Sequence, residues 1–126
     1  MSMGATKILE KAAKATAAMA TQYVIVKPGA DDNTIAVATA ASDKLLGICQ
    51  DIITTAQVTA GVDVNIAQDG ISNLKLGDTV TFGDLITSDG TGFGVVATSG
   101  QRYVGMANAG GVSGDVIPVK ICFGTV

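Results

Sequence analysis

From Gln22 onward the chain alternates short apolar runs with clusters of turn residues, and the runs carry the period of strands. Tyr23-Val-Ile-Val26 leads into Lys27-Pro-Gly-Ala-Asp-Asp-Asn33, a dense group of turn residues. Residues 34–39 and 45–50 form the next two runs. Val62, Val64 and Ile66 then alternate with Asp63, Asn65 and Ala67, the pattern of a half-buried strand. Residues 79–82, 85–87, 93–97, 102–107 and 116–123 complete the set. In the last of these Ile117, Val119, Ile121 and Phe123 hold strict period two, which predicts one inward row. Pro118, lacking a backbone N–H, predicts an edge strand or a place near the strand's beginning. Many short strands at close spacing predict an all-β fold, a small β-barrel or sandwich.

Residues 6–20 break this pattern. They are rich in Ala and Lys, good helix formers, and only Ile8, Leu9 and Met19 have bulk. Such a segment is marginal alone and orders on a partner surface. We read residues 1–20 as a flexible N-terminal arm, helical or extended according to what it touches. Residues 21–126 then form a single β-barrel domain, with no helix predicted in it. Backbone pairing and apolar contact by Ile8 and Leu9, with attraction from Lys7, Lys11 and Lys14, would dock the arm on an acidic partner; the alternative is a solvated tail that docks on nothing.

The chain also repeats itself. Val37-Ala-Thr39, a turn and Leu45-Leu-Gly-Ile48 match Val96-Ala-Thr98, a turn and Tyr103-Val-Gly-Met106, offset by 59 residues at Val37 and 58 at Gly47. The preceding turns align Asp32-Asn33-Thr34 with Asp89-Gly90-Thr91, and residues 61–67 match 114–121. This order predicts an internal pseudo-twofold, each half supplying part of one shared barrel. Gly47 and Gly105 lie mid-strand between bulky aliphatics, where glycine marks a bulge or a close backbone approach. Gly77-Asp78, Gly83-Asp84 and Gly114-Asp115 each precede an apolar run. There glycine supplies a positive φ and aspartate accepts a local N–H, so Gly77 and Gly114 join Gly47 and Gly105 as structural glycines.

Composition narrows the chemistry. The 126 residues suit one domain, and 48% hydrophobic against 15% charged excludes a disordered chain. There is no His, and Glu10 is the sole glutamate, which removes the commonest general base and metal ligand. We therefore assign no catalytic residue, no metal site and no cofactor. Asp31, Asp32, Asp63 and Asp69 read as turn aspartates. The glycines at 90, 92 and 94 read as a hairpin turn, lacking the GK[ST] ending of a phosphate loop. Cys49 and Cys122 share no CxxC spacing and sit in apolar runs, so both are expected as buried free thiols. Residues 15–20 are too short an apolar stretch for a secretory signal, and no run has the length of a membrane helix. Residues 1–27 sum to +3 and residues 28–126 to −6, a balance that argues against nucleic-acid binding. A β-barrel binding or carrier module of a larger complex is the alternative. Lys27, Lys44 and Lys75 lie in or beside turns but lack the neighbours of a modified carrier lysine.

The order of strand, turn, V-A-T, turn and ϕ-G-ϕ, followed by an Ala-rich loop and G-D-x-I-x-V, resembles the decoration (cement) proteins of tailed-phage capsids. It covers about residues 15–123, best at 44–48, 76–87 and from Arg102-Tyr-Val-Gly-Met-Ala107 to Gly114-Asp-Val-Ile-Pro-Val119. The Lys-rich start before Ala15 is longer than the family pattern. The resemblance implies a homotrimer of small β-barrels on the outer capsid surface of the virion, where subunits of the major capsid protein meet. It implies neither nucleic-acid nor membrane binding. On this reading the arm residues Lys7, Ile8, Leu9, Lys11 and Lys14 are the expected capsid contacts.

Overall fold

A computed structural model describes residues 6–19, 21–29, 32–40 and 43–126, with side chains from Ala13 onward. Nine strands form one sheet: β1 (Thr6–Ala15), β2 (Ile25–Pro28), β3 (Thr34–Val37), β4 (Gly47–Cys49), β5 (Asp63–Lys75), β6 (Leu85–Ser88), β7 (Gly94–Val96), β8 (Arg102–Ala107) and β9 (Val116–Thr125). The strands run β1-β3-β2-β4-β5-β9-β8-β6-β7, and β1 also pairs with β5. That extra pairing closes β1, β3, β2, β4 and β5 into a five-stranded barrel. Beyond it β5 continues into a second ring through β9, β8, β6 and β7, which returns to β5 by the parallel bridge Leu76↔Gly94.

The pseudo-twofold is visible pair by pair. Val26↔Val37 and Val26↔Gly47 in the first ring correspond to Ile86↔Val96 and Ile86↔Gly105 in the second. Cys49↔Ile66 corresponds to Ala107↔Val119, and Ala13↔Val64 to Leu74↔Ile117. Even the loop bridges recur, Met19↔Ile53 against Val80↔Gly111. The halves therefore build two linked rings rather than one shared barrel, because β1 supplies the fifth stave of the first. The turn alignment also shifts: Asn33 (φ 58°) matches Gly92 (φ 83°), the left-handed residue before each third strand of the ring.

One expectation narrows and two change. Of the two conformations expected for the arm, helical or extended, Thr6–Ala15 takes the extended one. It is a strand paired with β5 over eight positions from Thr6↔Ile71 to Lys14↔Asp63, so long-range pairing overrides helix propensity. Its Ala13 and Ala15 are buried in the first core with Val26, Ile35, Val64 and Ile66, so small residues do join the core. A helix, α1 (Thr55–Ala60), follows a capping box in which Thr54 and Gln57 bond each other's backbone, and Gly61 ends it at φ 72°. It buries none of its side chains, so no apolar period announced it.

Pro118 sits within an internal strand, third in β9. The ladder to β8 begins one residue later at Val119↔Ala107, so the missing N–H falls beyond that ladder's end. At the matching place in the first ring, the N–H of Asn65 donates to Asp51 Oδ2 at 2.9 Å. Proline removes the need for that cap.

Candidate functional site

Five aspartates accept from turn or loop N–H groups, whereas two expected in turns lie in β5: Asp69 within it, and Asp63 as its first residue, paired with Lys14. Asp78 Oδ1 accepts from the Thr79 N–H at 2.7 Å, Asp84 Oδ2 from Thr81 at 2.9 Å and Asp115 Oδ2 from Val112 at 3.0 Å. Asp89 Oδ1 accepts from the N–H groups of Thr91 and Phe93. Asp43 Oδ2 accepts from the Thr39 and Ala40 N–H groups. The Thr39 N–H and the nearby Lys27 ammonium hold its carboxyl below the usual range, against a smaller opposing effect of burial. Asp69 Oδ1 accepts from Gly70. Asp31 lies outside the described residues. Among the described residues no three His, Cys, Asp or Glu side chains are grouped to hold a metal, and no helix is long and apolar enough to cross a membrane.

Two of the three lysines beside turns are likewise engaged. Lys27 Nζ donates to Thr39 Oγ1 at 3.1 Å and lies 3.4 Å from Asp43 Oδ2. Lys75 Nζ stands 5.5 Å from the Phe93 ring centre. Lys44 borders a surface cleft with Leu45, Arg102, Tyr103 and Phe123.

The two cysteines diverge. Cys49 is buried and donates to the Asp51 carbonyl at 3.2 Å, and burial pushes its thiol pKa up. Cys122 is exposed, against expectation, because Ile117, Val119 and Ile121 take the inward positions of β9. Phe123 also fails to continue that row and is 47% exposed. The register between β8 and β9 slips between Tyr103 and Gly105, which breaks the period.

At Gly47 a Cβ would land on the Ala67 carbonyl oxygen and within 2.7 Å of Ile66 Cγ2. At Gly105 it would land on the Lys120 carbonyl oxygen and within 2.7 Å of Val119 Cγ1. These are matching sites of the two rings. Gly114 has φ 91°. Gly77 has no positive φ; there a Cβ would strike Asp89 Oδ2 and crowd Phe93 Cβ at 3.0 Å.

Of the arm residues, Lys7, Leu9 and Lys11 have backbones paired with Gly70, Asp69 and Ile66, and Ile8 falls where the register shifts. The side chains of these four lie outside the described residues. Lys14 Nζ donates to the Gly61 carbonyl at 2.8 Å and meets Asp63 Oδ1 at 3.1 Å, a solvent-exposed pair. The structure thus pairs the backbone of the arm with β5.

Among the described residues, large exposed apolar side chains concentrate in the second ring and its flanking segments. Phe82, Val96, Val112, Val116, Phe123 and Val126 are exposed there, against Ile52 and Val62 in the first half. Sequence reading missed this asymmetry, since most of these residues occupy strand-like runs.

No protein-family model matches the chain, and no curated protein matches it in sequence. In fold it is similar to the head fiber gp8.5 N base of bacteriophage phi29, at a TM-score of 0.61 and 15% identity. The likeness covers 90% of this chain and 93% of that one.

Proposed function

We propose that this protein is a structural capsid decoration protein, attached to the outside of a phage head and clamping adjacent subunits of the major capsid protein as a homotrimer. The observation that carries the reading is the fold shared, over nearly the whole of both chains, with a phage head fiber base. The composition agrees with it: there is no His, and the aspartates of the described turns serve the backbone. A part of this kind needs repetition and complementary surfaces rather than a reactive pocket. Weak contacts made by several copies on several shell sites together give strong attachment. The acidic balance of residues 28–126 keeps the protein off packaged DNA.

Electron cryomicroscopy of heads assembled without the protein and then mixed with it tests the reading. Expected is new density outside the shell at junctions between capsid subunits. Unchanged heads at saturating protein contradict it.

A further inference from the structure

The two copies of the ϕ-G-ϕ motif are each preceded by a cation. By the repeat, Lys44-Leu45 at the start of one copy is the counterpart of Arg102-Tyr103 at the start of the other. The fold brings both pairs to one place. They line a single surface cleft of about 430 Å³, together with Phe123, Gly124 and Thr125 of β9. That volume is in the range that takes a ligand or a short extended segment, about 300–1,000 Å³.

Two features of β8 and β9 shape the cleft. Between Tyr103↔Gly124 and Gly105↔Ile121, Cys122 and Phe123 stand opposite Val104 alone. This bulge takes Phe123 out of the inward row and leaves it 47% exposed. Across from Tyr103 stands Gly124, where a Cβ would strike the phenol ring, so glycine is what lets that ring lie against β9. Leu45, half-buried against the second core, adds a third apolar side chain.

The cations of the cleft are unlike the others. Lys14 and Lys27 pair with Asp63 and Asp43, and Lys75 stands over the Phe93 ring. Lys44 and Arg102 are exposed, and among the described residues neither head group has a hydrogen-bond or salt-bridge partner.

We propose that the cleft of Lys44, Leu45, Arg102, Tyr103 and Phe123 is a docking site for an acidic segment of a partner protein, an apolar side chain flanked by carboxylates. The occupant follows from the lining. The apolar side chain sits among Leu45, Tyr103 and Phe123, and the carboxylates supply the charge that Lys44 and Arg102 lack, the guanidinium accepting a carboxylate on two N–H groups. A nucleic-acid strand is the poorer match, because its phosphates call for a row of cations and the lining holds two. The site goes beyond the head role, and its test uses no heads, so either can fail alone.

Amide NMR of the isotope-labelled full chain tests it, titrated with an acetylated and amidated peptide carrying Leu between two Glu residues. Shifts should appear at residues 44, 45, 102, 103 and 123 with a Kd of about 1 mM, the affinity of a few contacts. K44Q and R102Q should each weaken binding about threefold, the scale of one exposed charge pair. F123S should weaken it as well, and all three variants should keep the wild-type β spectrum. The same peptide with Gln for both Glu residues should not bind. Absence of shifts at these residues overturns the inference, as do shifts indifferent to K44Q and R102Q or to the Gln peptide. Tighter binding of oligothymidylate at the same residues also overturns it, assigning the cleft to nucleic acid. Shifts there that grow with protein concentration alone overturn it too, assigning the cleft to a second copy.

Discussion

In the first ring the inward positions at the end of β1 are Ala13 and Ala15, whereas their counterparts are Leu74 in β5 and Leu76 just past its end. The neighbouring strand compensates. Ile35 faces the alanines, while Gly94 stands in its place beside the leucines, where a Cβ would come within 2.6 Å of Leu74 Cδ2. Volume is held constant across the parallel contact and not at each position, which is why the repeat is faint in sequence and plain in register. The turns differ in the same manner. The loop after β3 is capped by Asp43 accepting from Thr39, and the loop after β7 by Gln101 Oε1 accepting from Thr98 at 2.8 Å. One backbone solution is reached by two sets of side chains.

Removing residues 2–15 would break the comparison most severely. The first ring loses its closing stave and eight paired positions, at about 1 kcal/mol for each backbone hydrogen bond lost. Urea titration followed by circular dichroism should show a truncated chain that is largely unfolded or retains only the second ring. A melting curve unchanged from the full chain would mean that β1 is dispensable to the fold.

Gly47→Val and Gly105→Val probe the most similar pair of sites. Each forces a side chain against a backbone carbonyl that cannot yield, and each should cost about 3 kcal/mol in chemical denaturation. Comparable losses sharpen the equivalence. A tolerant site at either position removes it.

Asp43 and Gln101 separate the halves by pH. The Asp43 carboxyl is held below its ordinary range, so its contribution is present above that range and fades as pH falls through the depressed value. Asp43→Asn should cost about 0.5–1 kcal/mol at neutral pH, the pair being partly exposed, and nothing in strong acid. Gln101→Ala should show no such dependence. A pH-independent Asp43→Asn loss would mean that the carboxylate charge plays no part in the turn.

Much of this architecture was legible because strands and turns are written locally. The alternation at Val62, Val64 and Ile66 marked the first half of β5, and the Gly-Asp pairs marked turns that the carboxylates do cap. β1 was illegible because its pairing is non-local: nothing in Lys11-Ala-Ala-Lys14 encodes the row at 63–66 that it meets. The helix at Thr55–Ala60 left only its capping box, Thr54 and Gln57, as a signal. The exposure of Phe82, Val112 and Phe123 was hidden for another reason: an apolar residue in or beside a strand-like run reads the same whether it is buried or exposed.

The most direct test of one ring built twice is to transplant the first ring's solution into the second. Leu74→Ala alone should cost about 3 kcal/mol through a cavity, and Gly94→Ile alone about 2 kcal/mol through overpacking. Together they recreate the Ala13 and Ile35 arrangement, and Ile86→Val, matching Val26, completes it. A double-mutant cycle in urea should return a favourable coupling of about 1–3 kcal/mol, with the combined variant more stable than the sum of its parts. Strictly additive losses would contradict the equivalence of the two rings.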